Sequence, residues 1–383
     1  MSRPSVAVDA SLSPADDHLV HRGPGTLGMA DTPHSQDLRF FERYWNVLHD
    51  ETGDLVVAIG GSRYPNLGRA ESYAVVNLRG DHRSVRAFGR LGDCDDRSDL
   101  TVGPLRPTIV TGLREWRHTL EHGGWGFSYD LTTTDTHRAV HGAVWGPRVE
   151  TGERQVTVGF ETFVAVHGWV RIGDTRMEWP AGCARGTRDR HWGVGRGVGG
   201  PALNDGVVRR GGWKGGIWID LGDLAIWGKT VLYPHGDPRP GAGKVERVHR
   251  KLRFEPDTQI LSEGLIGLTL SDGTTRHLHL ERLGTQTAYL RCGFYGGTPD
   301  GPGAEFPGLQ HGEYYGPPRV EWDRYDVTDP VARLALRGLD EHHCRVREIG
   351  GPRDGCTTTG ILQPLEPDAY EACVAGKPGW ELW

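Results

Sequence analysis

What the chain lacks narrows its function before any residue is singled out. No apolar run approaches the roughly 20 residues that a membrane-spanning helix needs, so stable membrane insertion is not expected. The six cysteines, Cys94, Cys183, Cys292, Cys344, Cys356 and Cys373, form no Cys-x-x-Cys pair. Their scatter argues against a zinc knuckle or a dense disulfide scaffold and fits reduced thiols in a cytoplasmic protein. Charge is close to balanced, with 44 Lys and Arg against 50 Asp and Glu for a net −6. That offers neither a basic field for nucleic acid nor a polybasic membrane patch. No βαβ alternation and no Walker-type lysine loop are read, and the glycine run after Trp192 is expected to lack the flanking strand and helix that a G-x-G-x-x-G motif needs, which speaks against the common nucleotide folds. The missing G-x-S-x-G elbow speaks against acyl-enzyme chemistry.

Helix signals are also scarce. Asp329-Pro330 before Val331 to Gly338 supplies an N-cap, a first-turn proline and a closing glycine, and Glu366-Pro367 to Gly376 is a weaker copy. The rest is short and β-like. Leu55-Val56-Val57-Ala58-Ile59, Tyr73 to Leu78, Gln155 to Val158 and Phe163 to Val166 are β-branched or aromatic runs of strand length. Ser271-Asp272-Gly273-Thr274 joins two further runs, Leu265 to Leu270 and His277 to Glu281, as a tight hairpin. The 57 glycines supply turns and kinks, and 13 Trp, 11 Tyr and 9 Phe supply buried area.

A chain of 383 residues suits two domains. The pattern predicts an all-β protein: two lipocalin-like antiparallel barrels packed together, closure removing the exposed edges. Residues 1–36 read as a flexible arm, 37–200 as the first barrel and 201–383 as the second, joined near Gly199 to Asn204.

One segment concentrates chemistry beside that join. Arg188-Asp189-Arg190-His191-Trp192-Gly193 brings together carboxylate, imidazole, indole and guanidinium groups, with glycines on both sides that let backbone approach a ligand closely. Together with Phe41 to Asn46 and Gly61 to Asn66, it resembles the AttH/CrtC-like group of two-lipocalin-domain proteins. That group includes carotenoid hydratases (hydroxyneurosporene synthases) and is similar to fungal Diels–Alderases of decalin biosynthesis. Against the family's Arg-Asp-His-Ser-Trp-Gly, Arg190 stands where the histidine is usual and His191 lies one place along. On a strand such a step turns the side chain to the other face. Trp218-Ile219-Asp220 resembles the family's aromatic-x-Asp, with Trp for Tyr.

The resemblance implies a cofactor-independent lyase, hydratase or cyclase working by acid–base chemistry on an isoprenoid, polyene or steroid-like substrate. Asp189, His191 and Asp220 are the candidate catalytic groups. Arg188, Trp192, Trp218 and Tyr314 are candidates for substrate binding. Protonating an alkene needs a carboxylic acid kept neutral by desolvation, and indole faces suit the resulting cation. Two other readings stay open: a pericyclase that folds a polyketide or terpenoid substrate, and a carrier of an apolar ligand. Arg188 and Asp189 equally read as a buried pair locking one barrel against the other. No metal is expected, since His277-x-His279 and His342-His343 lack a third ligand at a recognisable spacing.

Overall fold

The computed structural model describes residues 12–18, 37–91, 100–141, 156–195, 197–204, 216–237, 243–290, 311–314, 316–337, 339–363 and 368–383. The first half supplies β1 (Phe40–Asp50), β2 (Leu55–Tyr64), β3 (Arg69–Leu78), β4 (Asp81–Arg90) and β5 (Leu105–Thr111). It continues with β6 (Glu115–Leu120), β7 (Phe127–Asp135), β8 (Val140–His141), β9 (Val156–Ile172) and β10 (Thr175–Val194). A short helix, α1 (Gly200–Leu203), follows β10. The second half supplies β11 (Gly216–Asp220), β12 (Ala225–Trp227), β13 (Thr230–Leu232), β14 (Val245–Phe254), β15 (Leu261–Leu270) and β16 (Thr275–Tyr289). Then follow β17 (Arg319–Asp326), α2 (Pro330–Leu336), β18 (Asp340–Glu348), β19 (Thr357–Gln363), α3 (Asp368–Val374) and β20 (Trp380–Leu382). No helix among the described residues is long and apolar enough to cross a membrane.

These strands form two curled sheets. The first runs β17-β4-β3-β2-β1-β10-β9-β7-β6-β5, with β8 against β9; the second runs β13-β12-β11-β19-β18-β16-β15-β14-β20. The runs read at 155–158 and 163–166 fall in one strand, β9; Gln155 itself lies outside the described residues. The Asp-Gly hairpin forms as expected between β15 and β16. In α2 the Asp329 carboxylate accepts from the Val331 amide at 2.9 Å, the capping that its sequence announces.

Two expected boundaries shift. β17, from the second half of the chain, pairs with β4 and so completes the first sheet. It covers what would otherwise be a free edge, and Arg86 on β4 anchors it by bonding Asp323 at 2.5 Å and Glu321 at 3.3 Å. Within the stretch expected to be a loose arm, residues 14–17 form a 3-10 turn whose Asp16 and Asp17 are buried. The cause is electrostatic, because Asp17 meets two arginines of β10.

The period of two along each strand sorts the larger hydrophobic clusters of the described residues into three layers. Tyr44 and Leu48 of β1 point into the first barrel with Val57, Trp116 and Tyr129. Trp45 and Val47 point the other way, against Trp218, Trp227 and Ile361 of the second sheet. Ile217, Ile219, Ile266 and Val346 fill the second sheet's own interior.

Candidate functional site

β10 borders two of those layers, and its register decides which residue serves which. Across β1, Arg188 lies opposite Asn46 and Arg190 opposite Tyr44, whereas Asp189 lies opposite Trp45 and His191 opposite Arg43. Arg188 and Arg190 therefore face the barrel interior, and Asp189 and His191 face the seam between the sheets.

On the seam face three ionisable groups converge. His191 Nδ1 lies 3.1 Å from Asp189 Oδ2, and its Nε2 lies 3.5 Å from Glu161 Oε1. Glu161 is placed there because β9 pairs it directly with Asp189. Arg43 approaches Asp189 Oδ2 at 3.5 Å. All three convergent residues are at most 3 % exposed. Burial alone would lower the His191 pKa, but Asp189 and Glu161 outweigh it and hold the imidazolium above its ordinary range. Burial and the neighbouring Asp189 charge raise Glu161 despite the opposing pull of the nearby His191. From the second sheet, Glu341 is raised well above the usual carboxylate range by burial and by Asp340, with Asp189 adding to it. Gln363 donates to Glu341 at 2.5 Å. Burial at the seam thus shifts these carboxyls toward the protonated form, the direction that acid chemistry on a neutral substrate requires.

Indoles form the wall beside this cluster. Trp45, Trp218 and Trp227 pack mutually with ring centroids 5.3 to 6.2 Å apart. Trp227 presents its edge geometry to His191 at 6.4 Å. Trp218 also lines a small cleft at the seam, with room on the order of one water, together with His49, Phe163, Arg185 and Asp220.

The residues singled out in the sequence are thus dispersed. Asp189 and His191 come together. Asp220 stands in the cleft, 3.7 Å from His137, and accepts from the Gly222 amide at 2.8 Å, the geometry of a turn cap. Trp192 is fully buried, and Tyr314 packs on Phe88 with centroids 4.6 Å apart.

Arg188 requires a correction. It does not pair with Asp189, because neighbouring strand residues point to opposite faces. Inside the barrel it bonds Asp135 at 2.7 Å through both Nε and NH2, and Asp17 at 2.9 and 3.0 Å. Its fork is committed to these carboxylates, so it holds the barrel together rather than a substrate at the seam.

Glu161, Arg43 and Glu341 escaped the sequence reading. For Glu161 a signal existed: a lone acid between Phe160 and Phe163 in an apolar strand, on the face that alternation assigns to Phe163. Among the described residues, one group of three potential metal ligands gathers, Glu263, His279 and Glu281. There His279 at 2.7 Å and Arg253 at 3.0 Å already take the two Glu263 oxygens.

The sequence model of a family of unknown function, DUF8625, matches residues 12–223, more than half of the chain, and the protein belongs to that family. No curated protein matches it in sequence. Among solved structures it is similar to AttH from Nitrosomonas europaea, with 12 % identity and TM-score 0.48 over 90 % of this chain and 98 % of that one. It is also similar to kievitone hydratase from Nectria haematococca, with 10 % identity and TM-score 0.45 over 84 % and 88 % of the two chains. For CghA the values are 11 %, 0.40, 86 % and 89 %.

Proposed function

We propose that this DUF8625 protein is a cofactor-independent enzyme of the hydratase, lyase or cyclase kind. Its substrate is an apolar isoprenoid, polyene or steroid-like molecule that meets the sheet seam, and Asp189, His191 and Glu161 move the protons. The observation that carries the reading is His191 held between two buried carboxyl groups, 3.1 and 3.5 Å away, beside three indoles. A neutral Glu161 or the His191 imidazolium protonates one alkene carbon and leaves a cation on the other. The faces of Trp45, Trp218 and Trp227 favour that cation. Water then adds and gives its proton back to the cluster, or a neighbouring carbon loses its proton to the cluster and the skeleton rearranges or closes. Asp220 and Trp218 mark the side from which substrate reaches the seam.

The test is mass spectrometry of an extract of the protein's own source, incubated with purified protein in heavy water. The expected product carries carbon-bound deuterium, and Glu161→Gln and His191→Gln abolish its formation. A product free of deuterium, formed equally by Asp189→Asn, rejects protonation and leaves a pericyclic reaction. An apolar compound that is retained but unchanged leaves a carrier.

A further inference from the structure

β16 carries chemistry on its outward face that the proposed seam reaction does not use. Leu278 and Leu280 point into the second sheet's core, so the alternation of the strand turns His277, His279 and Glu281 to the other side. Along the chain this run lacks a further partner, and the sheet register supplies one. β15 sets Glu263 directly opposite Glu281 and Leu265 opposite His279. One ligand atom from each of Glu263, His279 and Glu281 lies within 4.8 Å of the others. Around a tetrahedral zinc-like ion, such atoms stand roughly 3.4 Å from one another. His279 Nε2 and Glu263 Oε1 are 2.7 Å apart. The Glu281 side chain is 49 % exposed and meets Arg345 only at 3.7 Å, so it is free to close on them.

The groups behind these ligands are also in place. Arg253 of β14 bonds Glu263 Oε2 at 3.0 Å, which fixes the carboxylate and leaves Oε1 toward His279. The Arg253 guanidinium lies over the Trp383 ring at 4.6 Å. That indole in turn stands edge-on to the His279 ring, with centroids 6.0 Å apart. The Trp383 amide donates to the Leu252 carbonyl of β14 at 2.8 Å, which anchors the indole there. Partners of this kind orient the ligating ring and carboxylate before a metal arrives. One imidazole with two carboxylates suits zinc and its transition-metal neighbours better than Mg2+ or Ca2+, which take oxygen ligands.

We propose that Glu263, His279 and Glu281 bind a divalent transition-metal ion of the zinc type, which clasps β15 to β16 on the outer face of the second sheet. On binding, His279 Nε2 releases its proton to solvent and gives its lone pair to the ion. Glu263 Oε1 exchanges its hydrogen bond for a metal bond, and Oε2 stays on Arg253.

The test uses the full, untagged chain freed of metal with EDTA, with Co2+ as probe, Zn2+ as competitor and Mg2+ as control. One Co2+ per chain is expected to bind, with visible absorption that Zn2+ abolishes and Mg2+ does not. His279→Gln and Glu281→Gln should each weaken Co2+ by about tenfold or more. His277→Gln, one row along and opposite Gly267, should leave it unchanged. Equal Tm values of the metal-free proteins check that these variants fold alike. Absence of saturable Co2+ binding rejects the site. Binding that persists in His279→Gln, or that His277→Gln weakens as much, also rejects it, since the ion is then held elsewhere or by scattered surface histidines.

Discussion

Arg188 and Asp189 are neighbours in the chain and serve opposite faces of one strand. The first bonds Asp17 and Asp135 inside the barrel, and the second lies 3.1 Å from His191 at the seam. One peptide bond therefore separates a group tied into the barrel interior from one that faces the seam cluster, and substitution should separate them too.

Removing Arg188 leaves two buried carboxylates without their shared cation. Burial pushes the Asp17 carboxyl up, but Arg188, Arg190 and Trp116 together hold it below its usual range. Arg188→Met is expected to cost about 3–5 kcal/mol in urea unfolding, the usual loss when one partner of a buried pair is deleted. Asp189→Asn should cost distinctly less and abolish turnover. Equal stabilities of the two variants would contradict this division.

The proton held by His191 can be observed directly. Its folded pKa is raised by Asp189 and Glu161 against the effect of burial. The stabilisation it contributes is fully present below its unfolded value of about 6.5 and is lost as pH rises through the folded value. In nitrogen-detected NMR titration His191 is expected to stay protonated above pH 6.5, and Asp189→Asn and Glu161→Gln should each bring its midpoint down. A wild-type midpoint below 6.5 would disprove the arrangement.

The split between Arg188 and Asp189 also explains what the sequence could reveal. Alternation within a strand is local, so β2, β3, the Asp-Gly hairpin and the cap of α2 were legible. So was the adjacency of Asp189 and His191 on one face, given that β10 is a strand. Glu161 and Glu341 reach the same place only through pairing of β10 with β9 and packing of one sheet on another, which no local pattern encodes. Asp17 was misread for the same reason. Its partners Arg188 and Arg190 lie 171 and 173 residues away, so a polar segment that looked like free arm is buried by charges that local composition does not show.

Acid should loosen the fold through histidines that are buried without charge. Burial drives His49, His82 and His118 down to about 3. His49 stacks on His343 of the second sheet with centroids 4.1 Å apart, so protonating either puts charge into the contact between sheets. For a histidine with a depressed folded pKa, the unfolded chain binds more protons at acid pH, and stability falls as pH drops below about 6.5. Each such residue adds up to about 1.4 kcal/mol per pH unit. Urea unfolding from pH 7 to 5 should show this decline, and His49→Gln should flatten it. A wild-type stability unchanged across that range would mean that these rings titrate normally.

Glu71 works in the opposite direction, and that makes it separable. It lies on β3, accepting from Tyr64 Oη at 2.8 Å and from the Gly312 amide at 3.0 Å. Burial lifts its pKa to about 7, with the Glu313 charge adding to the rise while the Gly312 and Tyr64 bonds and Arg69 oppose it. A carboxyl raised in this way stabilises the fold in its neutral form. Its contribution is present below the unfolded value near 4.3 and is lost as pH climbs toward the folded one. Glutamine keeps the neutral shape and an acceptor for Gly312, so Glu71→Gln should gain on wild type by about 2–3 kcal/mol as pH rises from 5 to 8. Paired urea titrations at the two pH values measure that difference. A gap that stays constant with pH would show that Glu71 is ionised throughout and that its two donors outweigh its burial.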